Sequence, residues 1–214
     1  MLPLILRLKK ETHRKIARAQ DMIVEELYRA FNEAVLHGGT AIWRCYRGLR
    51  FSEDIDVYLD KNVKQLDAFF HALEQRGFVI EKRKMTQNSL YSSLMFERCN
   101  VRFEALFKKV DSALKEYETA DGNILTVYTL TLEDFICEKV DAYLDRMKIR
   151  DLYDVFFLLQ RVSAINPVRG RLQKLIDNGR KPVDEKDLKV LIISGLAPTS
   201  EKMLEYIKSR IEHG

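Results

Sequence analysis

The chain has 214 residues, 46% hydrophobic and 32% charged, with a formal net charge of +4. That length suits one domain or two small ones, and the composition is that of a globular protein, not a disordered, fibrous or membrane-embedded one. Cys45, Cys99 and Cys137 are too few for a disulfide framework and lack metal-type spacing, which points to a reducing, cytoplasmic setting, while the mild basic excess is compatible with a polyanionic partner.

The opening MLPLILRLKK is apolar first and basic after, the reverse of a secretory signal and too short to span a bilayer. It reads as an N-terminal strand or extended arm. Residues 11–34 read as a helix, because Ile16, Ala19, Ile23, Leu27 and Phe31 recur at helical spacing. A short strand over Val35 and Leu36 then leads into Gly38-Gly39-Thr40 and a short helix bearing Ile42, Trp43 and Tyr46, with Trp43 in the core. Glycine lets backbone N–H groups approach a phosphate closely, and a helix N-terminus favours an anion. Arg44, Arg47 and Arg50 recur every third residue after this turn, either as solvated charges or as partners for nucleotide phosphates.

The next run carries Asp54 and Asp56 with Ile55 between them. On a strand, Asp54, Asp56 and Tyr58 share one face and Ile55, Val57 and Leu59 the other. Neighbouring carboxylates repel unless something positive lies between them, and Mg²⁺ (or Mn²⁺) held by carboxylates and substrate phosphates is the usual answer. Asn62 to Arg76 reads as a helix with Val63, Leu66, Phe69, Phe70 and Leu73 as its core stripe, ended by Gly77. Three strand-like runs follow, GFVIEKRKM, SLYSSLMFER and VRFEALFK, broken at MTQNS and at Cys99-Asn100. In the third, Arg102, Glu104 and Leu106 alternate with Val101, Phe103, Ala105 and Phe107, so Glu104 sits on a strand whose other face is buried. Residues 108–123 are polar with a turn at Asp121-Gly122, and ILTVYTL is the last expected strand. Every strong signal after it is helical, which divides the chain into residues 1–128 and 129–214.

Residues 131–160 are read as helical, opened by a capping-box pair, Thr131 and Asp134. Lys139 falls in the middle of the apolar stripe of Leu132, Phe135, Ile136, Val140 and Tyr143. A buried ammonium is costly alone, so it needs a carboxylate or a substrate phosphate. Asp151 flanks the next core stripe (Leu152, Val155, Phe156, Leu159), where it is either a helix N-cap or a functional acid. The remaining residues, 161–214, read as three more helices with charged, solvated faces.

The string GGTAIW…RFSEDIDVYL, with a downstream lysine and Arg150-Asp151-x-x-Asp154, resembles the AbiEii/AbiGii toxin group of type IV toxin–antitoxin systems, a branch of the DNA polymerase β-like nucleotidyltransferases. The resemblance implies an α+β fold: a nucleotidyltransferase core of mixed sheet flanked by helices, followed by an α-helical C-terminal domain. It implies a metal site of Asp54 and Asp56, with Glu104 as third carboxylate and Asp111 as the fallback. It implies that Gly38, Gly39, Thr40 and Lys139 hold an NTP, and that Asp151 belongs to the active set. The implied partners are NTP, an acceptor such as tRNA or another RNA, and a cognate antitoxin, with no membrane. A small-molecule nucleotidyltransferase, a catalytically silent nucleotide-binding member, and a nucleic-acid-binding protein with structural acids stand as alternatives.

Overall fold

The structure is a computed structural model and describes residues 2–213. Residues 1 and 214, the outermost ends of the expected N-terminal arm and last helix, lie outside them. The chain divides into two compact units, the first ending at Thr129 and the second beginning at Leu130.

The first unit is built on a seven-stranded mixed sheet with the order β3-β4-β5-β2-β1-β7-β6. Its strands are β1 (Val35–His37), β2 (Ile55–Leu59), β3 (Val79–Met85), β4 (Ser89–Phe96), β5 (Cys99–Phe107), β6 (Ala113–Glu118) and β7 (Ile124–Thr129). β2 runs antiparallel to β1 and parallel to β5, and β1 runs parallel to β7. Three helices, α2 (Glu11–Ala30), α3 (Gly38–Cys45) and α4 (Val63–Gln75), cover one face. The aromatic contact of Phe69 with Phe103, 5.0 Å between ring centres, pins α4 to β5 on that face. Ile55, Val57, Phe103 and Ala105 are buried there. The opposite face carries Asp54, Asp56 and Glu104, as strand alternation requires.

Three expectations change in this unit. The N-terminal segment is a one-turn helix, α1 (Leu4–Arg7), not a strand. Leu4 and Leu8 are buried while Leu2 and Leu6 are exposed, which is helical spacing. The polar run after β5 contains β6, an edge strand paired only with β7 among the described residues. An edge strand tolerates charge, so Lys115 and Glu116 hid it. The β4–β5 turn lies at Glu97-Arg98, both at positive φ (45° and 64°), and Cys99 opens β5 instead of breaking it. These are the dihedrals of a two-residue hairpin turn, made here by residues that give no turn signal.

The second unit is helical: α5 (Leu132–Arg146), α6 (Ile149–Leu159), α7 (Arg169–Asn178), α8 (Leu188–Leu191) and α9 (Ser200–His213). The helical stretch of residues 131–160 is broken at Met147, which takes a left-handed conformation (φ 51°, ψ 37°) and donates its N–H to the Tyr143 carbonyl at 2.7 Å. The N-cap reading of Asp151 implied a helix boundary near residue 151, and no glycine marks its actual place at Met147. The Thr131 cap forms: its hydroxyl oxygen accepts the Asp134 N–H at 3.2 Å, and the Asp134 carboxylate takes the threonine O–H at 2.6 Å.

Candidate active site

Three acids meet on the sheet face that the helices leave uncovered. Asp54 immediately precedes β2, and Asp56 lies within it. Parallel pairing of β2 with β5 sets Asp56 in register with Glu104, and antiparallel pairing with β1 sets it in register with His37. Paired residues on adjacent strands project to the same side. Asp111 instead lies exposed beyond the end of β5, so Glu104 is the acid beside Asp56. Burial pushes the Glu104 carboxyl above the usual range, and the charges of Asp56 and Asp54 push the same way, partly offset by Arg102 and His37. Among the described residues, no three acids, histidines or cysteines converge tightly enough to hold a cation as they stand. Arg102 supplies the reason at Asp54: its guanidinium is bidentate, with Nε 2.7 Å from Oδ1 and the second nitrogen on Oδ2. The donor set is all carboxylate oxygen, the chemistry a hard divalent cation takes.

Gly38 and Gly39 open α3, directly after β1. Gly38 has φ +70°, and a Cβ there would stand 2.0 Å from Oδ2 of Asp56. Only glycine brings the helix start this close to the acid. The first N–H groups of a helix lack intrahelical acceptors, and the α3 N-terminus brings its N–H groups beside Asp56. Thr40 serves differently from expectation. Its side chain is buried, and its hydroxyl donates to the Asp54 carbonyl. Gln20 of α2, fully buried, donates from Nε2 to the Thr40 hydroxyl oxygen at 3.3 Å and to the Ser52 carbonyl at 2.9 Å. Together Gln20 and Thr40 brace the backbone on both sides of Glu53, which delivers Asp54 to its face. The arginines also divide. Arg44 is buried, donating to Asp21 Oδ1 at 2.6 Å and to the Ala17 carbonyl at 2.9 Å; Arg50 is buried, and Arg47 alone of the three is exposed. Gln20, Arg102 and the structural duty of Arg44 escaped sequence reasoning, because polar residues show their partners only once the chain folds. The one available signal for Arg102 was its alternation with Glu104.

In the second unit, Lys139 and Asp151 are brought together. The Lys139 ammonium lies 2.9 Å from Oδ2 of Asp154 and 3.4 Å from Oδ1 of Asp151. Arg146 grips both oxygens of Asp151, at 2.7 and 2.8 Å. Asp151 and Asp154 are almost wholly buried, and the Lys139 side chain is 8% exposed. Asp151 is not an N-cap: α6 starts at Ile149, so it lies inside the first turn.

A glycine-led helix start beside an Asp-x-Asp strand, with a third acid on the parallel neighbour, defines the nucleotidyltransferase class that the sequence resembles. The chain belongs to the AbiEii family: the family model described as nucleotidyl transferase AbiEii toxin, type IV toxin–antitoxin system, matches residues 25–202. It is thus a nucleotidyltransferase of a toxin family. Solved structures share the fold. One is JHP933 from Helicobacter pylori, at 20% identity and TM-score 0.66, covering 95% of this chain and 91% of that one. Another is MenT4, a nucleotidyltransferase toxin from Mycobacterium tuberculosis, at 17% identity and TM-score 0.63, covering 93% and 83%. No curated protein matches the chain. No helix among the described residues is long and apolar enough to cross a membrane.

Proposed function

We propose that the protein transfers an NMP from an NTP to a hydroxyl of an RNA acceptor such as tRNA, the hydroxyl attacking the α-phosphate and pyrophosphate leaving, in the cytoplasm, with Mg²⁺ or Mn²⁺, and that a cognate antitoxin restrains it. The register of Asp56 with Glu104, beside the Asp54 that Gln20 and Thr40 brace, is the observation that carries this reading. Asp54, Asp56 and Glu104 would hold the cation. A bound divalent cation neutralises charge on the phosphates and aligns attacking and leaving oxygens. The chain's own part is positioning. The N–H groups at Gly38 and Gly39 receive the triphosphate, and the absence of side chains lets it approach Asp56. Lys139 has three N–H donors, of which Asp154 and Asp151 take two. We assign the third to a nucleotide phosphate, as the family resemblance implies, with Asp151 and Asp154 fixing the ammonium.

The test incubates the protein with Mg²⁺, total RNA and each NTP labelled at its α-phosphate, beside an Asp54→Asn/Asp56→Asn variant. Label entering an RNA band with the unmodified chain alone is the expected result. Triphosphate bound without transfer to RNA would shift the reading to a small-molecule acceptor or a binding-only protein.

A further inference from the structure

Beyond Glu104, the acid-bearing face changes sign. Arg102 lies on β5 beside Asp54, with its side chain 45% exposed. Tyr91 of β4 is in register with Glu104, and Lys84 of β3 is in register with Tyr91. The Lys82 ammonium stands 5.4 Å from the centre of the Tyr91 ring. Lys82 and Lys84 are both exposed. Arg83, between them, turns to the opposite face, where it pairs with Asp67 at 2.8 Å and covers Phe70. Alternation has therefore sorted two of three consecutive cations onto the acid-bearing face. From α3 outward, strand by strand, this face presents carboxylates, a guanidinium, then a tyrosine flanked by ammonium groups, with one acid among them, Glu81, held by Ser93 at 3.1 Å and Asn100 at 2.9 Å.

We propose that the strip across β5, β4 and β3 is the track of a phosphodiester acceptor, and that Arg102 couples this track to cation binding. The inference rests on the nucleotidyltransferase reading. A cation that binds Asp54 through the oxygen lone pairs the guanidinium now occupies displaces it, and one that binds elsewhere on the carboxylate still weakens its hold by charge. The freed guanidinium keeps a planar fork of donors matched to phosphate. The α3 N-terminus, which receives the triphosphate, lies over β1, on the other side of β2 from β5. The phosphate within reach of Arg102 is therefore the acceptor's. Tyr91 offers a base a stacking surface, and Lys82 and Lys84 meet the strand's backbone charge. Arg102 is a positioning residue: it guards Asp54 without a cation and holds the acceptor with one.

The experiment uses the full chain without NTP, so no chemistry intervenes. Calorimetry measures Mn²⁺ affinity, and fluorescence anisotropy measures binding of a single-stranded RNA oligonucleotide in EDTA and in Mn²⁺. The unmodified chain binds RNA more tightly with Mn²⁺. Arg102→Ala binds Mn²⁺ roughly fivefold more tightly, since its competitor for Asp54 is gone, and loses the Mn²⁺-dependent gain in RNA affinity. Lys82→Ala/Lys84→Ala leaves Mn²⁺ affinity unchanged but weakens RNA binding, lowering the salt slope by about 0.7 for each phosphate no longer neutralised. An Arg102→Ala variant that binds Mn²⁺ no more tightly, or keeps the RNA gain, overturns the coupling. RNA binding untouched by the lysine pair overturns the track. Mn²⁺ binding that is absent from the unmodified chain, or that survives Asp54→Asn/Asp56→Asn, overturns the nucleotidyltransferase reading itself. All three cations are exposed, so folding is preserved, which circular dichroism verifies.

Discussion

Gly38 shows how much one residue decides here. Its φ of +70° already disfavours any side chain, and an added methyl would collide with the Asp56 carboxylate. Gly38→Ala therefore costs about 1–3 kcal/mol of stability from backbone strain alone, and it displaces Asp56. We expect a folded protein with nucleotidyl transfer reduced at least about tenfold, a loss of roughly 1.4 kcal/mol at the transition state. Steady-state kinetics beside a thermal melt would check it; full activity would show that Asp56 does not need this placement. The glycine pair was legible as the tight opening of a short helix. The service of Thr40 was not: its spacing suggested a nucleotide contact, whereas the fold commits its hydroxyl to the Asp54 carbonyl.

Between elements, the decisive feature is the charge cluster joining α5 to α6. Lys139 sits in an apolar stripe and carries its charge inside because Asp151 and Asp154 meet it there. Removing one partner of a buried ion pair leaves an uncompensated charge, and Lys139→Met should cost about 3–5 kcal/mol in urea unfolding. Lys139→Met with Asp154→Leu should recover a large part of that stability, since it removes both charges of the closer pair. Activity separates the two roles of the lysine. If Lys139 meets a nucleotide phosphate, the double variant is stable but only weakly active, with a raised KM for NTP. Recovered activity would reduce Lys139 to a structural residue. The sequence exposed the problem, a lysine where a hydrophobe belongs, but left carboxylate and phosphate as equal solutions. Placing α6 against α5 supplied the two carboxylates.

Across the molecule, burial sets an alkaline limit on stability. The first unit buries Tyr117 and half-buries Tyr28, whose phenols are pushed upward by desolvation, and the Cys45 thiol is pushed up to about 12 by the same cause. A raised pKa means that the folded chain keeps a proton that the unfolded chain releases near pH 9 to 10. The resulting stability is fully present below those values and is lost as pH rises through the window toward the folded values, by at most about 1.4 kcal/mol per group per pH unit. The urea midpoint should thus fall between about pH 8 and about pH 10.5. An unchanged midpoint would mean these groups ionise equally in both states.

What the sequence by itself determined is what local periodicity encodes. Strand alternation put Asp56 of β2 and Asp54, just before it, on one face, and the turn-and-acid pattern led to the α+β fold and the family. Helical spacing marked α2, α4 and the stripe around Lys139. Only the tertiary structure decided register and partners. It set Glu104, not Asp111, beside Asp56, turned Arg102 onto Asp54, buried Arg44 against Asp21, and revealed β6 and the break at Met147. The physical reason is range. Periodicity is fixed by bonds between neighbouring residues, whereas register, ion pairing and the burial of polar groups are settled by residues far apart in the chain, whose charges meet only after the backbone has closed around them.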